Sequence, residues 1–146
     1  MKSIKGDKRR YQQILINFLS NALKFSKKGS QVKIKLLVKK IIKQADKITI
    51  QEGQKTNKNT YYMTFVLSVR DYGMGVPSEK LKHLFLNFRK IEENSIANKN
   101  GVGLGLSICK NLIEQMGGSV KVRSEVGQGA QFDITLHTEC IIDDIS

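Results

Sequence analysis

Four groups of residues in this sequence could do chemistry on a phosphorylated ligand. The first is a run of alternate glycines, Gly101, Gly103 and Gly105, which leads into an amphipathic helical pattern beginning at Leu104. Because glycine has no Cβ, such a loop lets the backbone come close to a ligand. The N–H groups at the start of the helix and the positive end of its dipole favour an anion. Taken alone, the pattern is equally typical of a tight turn.

The second group is a polar face on a helix predicted over residues 8 to 26, with Asp7 as its candidate N-cap and Gly29 as its candidate terminator. Asn17, Asn21 and Lys24 are spaced at i, i+4 and i+7, so they share one side of that helix. Two carboxamides and an ammonium group could present oxygens to a metal ion and a positive charge to phosphate. The alternative interpretation is a solvent-exposed polar stripe.

The third group follows the strongest strand pattern of the chain, residues 61 to 70. Asp71 comes directly after the strand and is followed by Gly73 and Gly75. A carboxylate there could bind a flat ligand that lies against the glycines, although aspartate at a strand end is also a common turn former.

The fourth group is the loop at residues 89 to 100. These residues are polar and aperiodic, and they precede the alternate glycines, which is where a lid would lie.

Length and composition indicate one globular domain. The chain has 146 residues, 40% of them apolar, and only two cysteines. Those cysteines have no metal-site or disulfide spacing, which is typical of a reducing compartment. No apolar run reaches the roughly 18 residues of a membrane span, and the N-terminus lacks the apolar core of a signal peptide. We therefore expect a soluble, intracellular domain.

The net charge of +12 is concentrated in the first part of the chain. Residues 1 to 60 carry 16 Lys and Arg against 3 Asp and Glu. Such a surface could attract nucleic acid, and affinity falling steeply with salt would reveal it. Most of the cations are lysines, however, and no aromatic ladder accompanies them as a stacking groove requires. We therefore expect a solvated basic surface and no specific nucleic-acid partner.

Together, the four groups resemble, in order and spacing, the ATP-binding domain of sensor histidine kinases. These kinases belong to a wider family that includes gyrase, heat-shock chaperone and mismatch-repair ATPases. The resemblance covers about residues 6 to 138. Four motifs match: the asparagine box at 17 to 25, the first glycine box at 71 to 75, the phenylalanine box at 85 to 88, and the second glycine box at 101 to 106.

The resemblance implies an α+β fold of the Bergerat type. This is a two-layer α/β sandwich in which three helices, expected at 8 to 26, 79 to 84 and 104 to 117, cover one face of a mixed sheet. The ATP-binding catalytic domain would span residues 1 to 140, with a polar hairpin insertion at 39 to 60 and an ATP lid at 89 to 100. Residues 141 to 146 would form a tail, frayed at the acidic pair Asp143 and Asp144.

The resemblance also implies a role for each group. Asn21 would hold Mg²⁺ through its side-chain oxygen, with Asn17 and Lys24 close to the same phosphates. Asp71 would accept a hydrogen bond from the adenine amino group, and Gly73 and Gly75 would give the ring room. The phosphate end of the ATP site would be completed by Gly101, Gly103, Leu104 and Gly105, and from its position alone Lys99 would reach the terminal phosphate.

The implied function is binding of Mg-ATP and donation of its γ-phosphate to a histidine. Hydrolysing members of the family carry a glutamate four residues before the magnesium asparagine, where this chain has Asn17. A carboxamide is not a useful base, so hydrolysis should be slow. Neither His83 nor His137 lies in a sequence like the phosphoacceptor helix. The acceptor would therefore lie on a dimerisation domain outside this chain.

The implied biological setting is two-component signal transduction. The parent protein would be a homodimeric histidine kinase that feeds a response-regulator receiver in a phosphorelay. The parent could itself be anchored to a membrane, with this domain on the cytoplasmic side. The alternative is a regulatory nucleotide-binding module without phosphotransfer. A Rossmann site is disfavoured because no strand leads into Gly101 and the third glycine falls at the wrong spacing.

Three departures from the family pattern bear on the site and the fold. Tyr72 and Val102 occupy positions where the family often has a small polar residue. The hairpin excursion at 39 to 60 is also longer than usual. In addition, the chain begins so close to Asp7 that we expect a first edge strand to be absent.

Overall fold

A computed structural model describes residues 2–44, 47–51, 54–84 and 104–143. Three helices and six strands occur in these ranges. In chain order they are β1 (Lys2–Lys5), α1 (Lys8–Phe25), β2 (Val32–Lys43), β3 (Lys47–Gln51), β4 (Gln54–Asp71), α2 (Ser78–Leu81), α3 (Leu104–Gln115), β5 (Ser119–Glu125) and β6 (Gly129–Asp143). The predicted α+β architecture is confirmed, and the three predicted helices and the strand predicted at 61 to 70 are present.

The strands form one sheet in the order β1–β6–β4–β2, with β3 also pairing with β4 and β5 also pairing with β6. All of the described pairings are antiparallel, whereas the sequence analysis expected a mixed sheet. The reason is that β2, β3 and β4 form one long hairpin and β5 turns directly into β6. The insertion at 39 to 60 is therefore part of the sheet.

The core lies between one face of this sheet and helices α1 and α3. Phe18 of α1 packs against Phe132 of β6 with 5.2 Å between ring centroids. Alternate residues of β6 face the helices, as the two-residue period of a strand requires. Truncating a buried phenylalanine such as Phe18 should cost about 3–5 kcal/mol. The largest fully buried side chains are Phe18, Ile14, Ile113, Ile134, Leu136, Val69, Cys109 and Ser107.

The ends of α1 were predicted in part. Asp7 is the N-cap, and its carboxylate accepts hydrogen bonds from the backbone N–H groups of Arg9 and Arg10. Gly29 was expected to end the helix, but that prediction was wrong. Ser26 is the C-cap, and its backbone N–H and its hydroxyl both donate to the Ala22 carbonyl. Gly29 instead occupies the following turn with φ of 80°.

Both termini of the described chain are more ordered than expected. The prediction that a first edge strand is absent was wrong, because Lys2–Lys5 pairs with β6. The prediction that the tail begins at residue 141 was also wrong, since strand β6 continues to Asp143. Ile141 lies opposite Ser3 in this pairing. The hydroxyl of Thr138 donates to the Lys5 carbonyl at 2.8 Å, which helps to hold β1.

No helix within the described ranges is both long and apolar enough to cross a membrane. The predicted lid at 89 to 100 and the phenylalanine box at 85 to 88 lie outside the described residues.

Candidate active site

A cavity of about 380 Å³ opens between the C-terminal half of α1, the turn after β4, and α2. Its volume is within the range of about 300–1,000 Å³ that is usual for small-molecule sites. The lining is largely apolar with a few convergent polar groups, which is typical of a ligand pocket. The lining residues are Asn21, Phe25, Asp71, Met74, Gly75, Val76, Pro77, Lys80, His83, Leu84, Leu106, Ala130 and Phe132.

Asp71 is the buried carboxylate of this cavity. It ends β4 opposite Val32 and is 4% exposed. One carboxylate oxygen, Oδ1, accepts the backbone N–H of Gly73 at 2.9 Å and that of Ala130 at 3.3 Å. These two hydrogen bonds hold the Asp71 side chain from the loop that follows β4 and from the start of β6. Among the described contacts no hydrogen bond involves the other oxygen, Oδ2, so it can accept from a ligand.

Close backbone approach explains the glycines around Asp71. A Cβ at Gly73 would lie 1.8 Å from the Phe25 carbonyl oxygen, and one at Gly75 would lie 2.1 Å from that of Glu125. Gly75 also has φ of 72°, a conformation that L-residues rarely adopt. The glycines are therefore required to pack the end of α1 and the β5–β6 turn against the loop that carries Asp71.

The asparagines of α1 reach different parts of the site. Asn21 lines the cavity together with Asp71. Asn17 lies one turn earlier, where its amide nitrogen donates to the Cys109 sulfur of α3 at 3.0 Å. A Cβ at Gly105 would lie 3.9 Å from the Asn17 side-chain carbon, so this carboxamide sits beside the first turn of α3. Of the predicted polar face of α1, Asn17 is thus turned toward the helix that follows the second glycine box.

Cys109 holds this junction as a neutral thiol. Its side chain is fully buried, and this burial raises its pKa, while the hydrogen bond from Asn17 acts in the opposite direction and is the smaller effect. A buried, protonated thiol is unreactive. Cys109 therefore serves as packing and as a hydrogen-bond acceptor between the two helices.

The remaining predicted site residues are distributed as follows. Lys24 is on the exposed side of α1, with its ammonium 5.8 Å from the centroid of the Phe25 ring. Leu104 begins α3. Lys99, Gly101 and Gly103 lie outside the described residues.

Tyr72 points away from the cavity lining. Its ring lies 4.8 Å from the Arg70 guanidinium carbon and 5.5 Å from the Lys33 ammonium. Both cations belong to the face of the sheet opposite the helices. Tyr72 was expected to affect a nucleotide by replacing a small polar residue, but its described contacts are with these two cations. Val102 lies outside the described residues.

The family model described as "Histidine kinase-, DNA gyrase B-, and HSP90-like ATPase" matches residues 6–139. The chain belongs to this ATPase family. The match covers nearly the whole described fold, including both elements that carry Asn21 and Asp71. The resemblance derived from the four motifs is therefore confirmed.

Relatives of this histidine kinase-like ATPase domain are much longer than the chain itself. Hybrid signal transduction histidine kinase B of Dictyostelium discoideum is 37% identical over 133 residues, which is 91% of this chain and 6% of that protein. The adaptive-response sensory-kinase SasA of Prochlorococcus marinus is 32% identical over 93% of this chain and 31% of its own length. The chain thus spans less than a third of either relative.

Solved structures of histidine kinases share the fold. Full-length ShkA in complex with AMPPNP matches 93% of this chain and 23% of that chain, with 29% identity and a TM-score of 0.56. The mycobacterial sensor histidine kinase MprB matches 91% of this chain and 73% of that chain, with 24% identity and a TM-score of 0.59. The likeness to MprB is one of fold alone.

Sequence reasoning missed most of the residues that line the cavity in this ATPase domain, among them Ala130, Lys80 and His83. Ala130 supplies a backbone N–H to Asp71, a contact that its apolar side chain does not signal. Lys80 and His83 of the α2 region line the cavity. His83, to which the sequence assigned no role in the site, is an exposed residue. The polar sequence of helix α2 was the one feature that could have indicated Lys80 and His83 as cavity residues.

Proposed function

We propose that this chain binds ATP with Mg²⁺ in the cavity and donates the γ-phosphate to a histidine on another domain of its parent protein. The observation that carries the proposal is the convergence of Asn21 and Asp71 on one cavity. They lie in different motifs, on α1 and at the end of β4, yet both line the same cavity. A largely apolar pocket with a few polar groups suits a flat base with a charged tail.

The adenine end of the proposed site is at Asp71. Its Oδ1 is already held by Gly73 and Ala130, so the second oxygen would accept the hydrogen bond of the adenine amino group. The apolar residues Met74, Leu106 and Phe132 would pack against the ring and exclude water. A site that pairs a buried acceptor with a substrate N–H rejects an analogue that lacks the donor.

The phosphate end is proposed near Asn21 and the start of α3. Mg²⁺ usually keeps several waters and phosphate oxygens and takes few protein oxygens, so the single carboxamide of Asn21 fits it. The ion would neutralise phosphate charge. Asn17 and Gly105, which face each other, would lie beside the phosphates, and Lys24 would add positive charge from the edge. Lys99, Gly101 and Gly103 are proposed to complete this end, with residues 89 to 100 as the lid.

Phosphoryl transfer fits this site better than hydrolysis does. Transfer requires mainly positioning and charge neutralisation. Hydrolysis requires a base for water, and Asn17 has no proton-accepting group useful at neutral pH. The nucleophile would come from a phosphoacceptor helix on the dimerisation domain of a homodimeric parent. A response-regulator receiver would accept the phosphate next, and the whole relay would operate in the cytoplasm.

The test is phosphotransfer to a supplied acceptor. The chain is mixed with ATP labelled at the γ-phosphate and with a purified dimerisation domain from its parent or from a histidine kinase relative. We expect acid-labile label on the acceptor, none when the acceptor histidine is replaced, and slower labelling at limiting ATP when Asp71→Asn is used. Nucleotide binding without any labelling would support the regulatory alternative.

A further inference from the structure

Strand β2 forms an open edge of the sheet. It runs for 12 residues, Val32–Lys43, and it ends the strand order β1–β6–β4–β2. Within the described ranges no strand pairs with its outer side. An open edge presents a row of backbone N–H and C=O groups on which another extended chain can add as a strand.

One face of β2 is apolar although it is not covered. Ile34, Leu36 and Val38 pair with Val69, Leu67 and Phe65 of β4, which belong to or pack on the core. The three β2 side chains therefore point to the helical side of the sheet. They are nevertheless 45%, 66% and 47% exposed, in that order. The core thus continues into an exposed apolar stripe at this edge.

The opposite face of the same strand is basic. Lys33 and Lys35 line a hollow of about 190 Å³ with Arg70 of the neighbouring strand. The acidic residue of this region, Asp133, is already paired with Arg123 at 2.7 Å and does not pair with either lysine. Over residues 32 to 36 this alternation separates an apolar side from a positively charged side, and Leu37, 52% exposed, is the apolar residue that follows on the charged side.

We propose that the β2 edge binds an extended segment of another polypeptide in which acidic and apolar residues alternate. An added strand places successive side chains on opposite faces. Its apolar side chains would continue the stripe of Ile34, Leu36 and Val38, and its carboxylates would lie beside Lys33 and Lys35. Opposite charges on neighbouring strands stabilise pairing, whereas like charges directly opposite destabilise it.

The same rule argues against a second copy of this chain as the occupant. A two-fold pairing of β2 with itself would put the lysine face of one copy next to the lysine face of the other. The five lysines of the strand, Lys33, Lys35, Lys39, Lys40 and Lys43, have no acidic residue among them. Lysines on an edge are a known means of preventing such self-association.

The binding test uses a fluorescent peptide of alternating Glu and Val, about nine residues long, within the usual length of a strand. Fluorescence anisotropy is measured with the whole chain in the absence of nucleotide. We expect saturable binding of this peptide. We also expect binding at least about tenfold weaker for a peptide with its Glu and Val grouped in blocks, and for one with two consecutive central prolines, which remove backbone donors.

Variants locate the binding surface. Lys33→Glu/Lys35→Glu should weaken the Glu-Val peptide at least about tenfold and should create binding of a Lys-Val peptide. Leu36→Ser should weaken the Glu-Val peptide several-fold. The matched control is Lys8→Glu/Arg9→Glu, which changes net charge equally at exposed positions in the first turn of α1 and should bind like wild type within about twofold. Circular dichroism confirms that each variant is folded.

Other outcomes would overturn the proposal. They include no binding of the Glu-Val peptide, equal binding of the block peptide, or equal competition by a single-stranded oligonucleotide of the same charge, which would indicate general attraction of polyanions. If the matched control lost as much affinity for the Glu-Val peptide, that result would also indicate general attraction of polyanions. A concentration-dependent dimer in sedimentation that Leu36→Ser abolishes would identify a second copy as the occupant.

Discussion

The amide nitrogen of Asn17 donates a hydrogen bond to the sulfur of Cys109 across 3.0 Å, joining α1 to α3. The bond uses the nitrogen of the carboxamide and leaves its oxygen beside Gly105, 4.0 Å from where a Cβ would lie. The two helices that carry the asparagine box and the end of the second glycine box are thereby held in one arrangement. This junction is the structural basis for proposing that both boxes serve the same phosphates.

The buried thiol of Cys109 should make stability depend on alkaline pH. Burial raises its pKa in the folded state, so the unfolded chain loses its proton first. Stability should be fully present below the pKa of a free thiol, about 8.5, and should fall as pH rises above it. Denaturant unfolding between pH 7 and 10 should show a smaller decline for Cys109→Ala than for wild type. Cys140→Ala, at a half-buried thiol, should keep the wild-type slope, and identical slopes for both variants would contradict this account.

Asp71→Asn should lower the affinity for ATP while the fold is retained. The asparagine oxygen can still accept from Gly73 and Ala130, but an NH₂ group replaces the second acceptor. The expected loss is at least about tenfold, equivalent to about 1.4 kcal/mol. Binding can be measured with a fluorescent ATP analogue, with inosine triphosphate, which lacks the amino group, as the second ligand. If Asp71→Asn left the preference for ATP over inosine triphosphate unchanged, the adenine assignment would be wrong.

Gly105→Ala should separate ligand binding from folding. A Cβ there would meet only an ordinary contact, 3.9 Å from the Asn17 side chain, and alanine favours a helix over glycine by about 1 kcal/mol. Stability should therefore rise or stay the same while nucleotide affinity falls, because the methyl group would occupy space beside the phosphates. Gly73→Ala is the contrasting variant, since its clash with the Phe25 carbonyl should lower stability itself. Unchanged affinity in Gly105→Ala would remove this residue from the proposed site.

Asp133 should make stability depend on acidic pH. Burial acts to raise its pKa, but hydrogen bonds from Ser68, Gln131 and Arg123, together with the Arg123 charge, outweigh burial and lower it. The resulting stabilisation is present above the ordinary aspartate pKa of about 3.9 and is lost as pH falls through the lowered value. Unfolding measured between pH 2 and 6 should therefore be less pH-dependent for Asp133→Asn. Glu125→Gln, at an exposed carboxylate of β5, serves as the control and should follow wild type.

Local pattern predicted the elements well because each has strong internal signals. The apolar residues of α1 recur at helical spacing behind Asp7, and its boundaries were predicted to within one residue. The strand ending at Asp71 was likewise evident from its β-branched and aromatic residues. The extension of β4 back to Gln54 was missed, because polar residues 54 to 60 pair through their backbones and need no apolar pattern.

Long-range pairing and backbone contacts could not be predicted in this way. Nothing in Lys2–Lys5 signals a strand, which forms only because β6 offers an edge. The N–H group of Ala130 reaches Asp71 only through the β5–β6 turn. The spacing of Asn21 and Asp71 gives no distance between them either, so the motif resemblance supplied that relationship and the fold confirmed that they share a cavity.

The most direct test of the central claim is calorimetric titration of the chain with a non-hydrolysable ATP analogue, first with Mg²⁺ and then with a chelator. We predict saturable binding with Mg²⁺ that weakens at least about tenfold in the chelator, and an equal loss for Asn21→Ala with an unchanged unfolding curve. Equal affinity with and without Mg²⁺, or wild-type affinity in Asn21→Ala, would contradict the magnesium assignment. A folded chain that bound no nucleotide under either condition would contradict the ATP site as a whole.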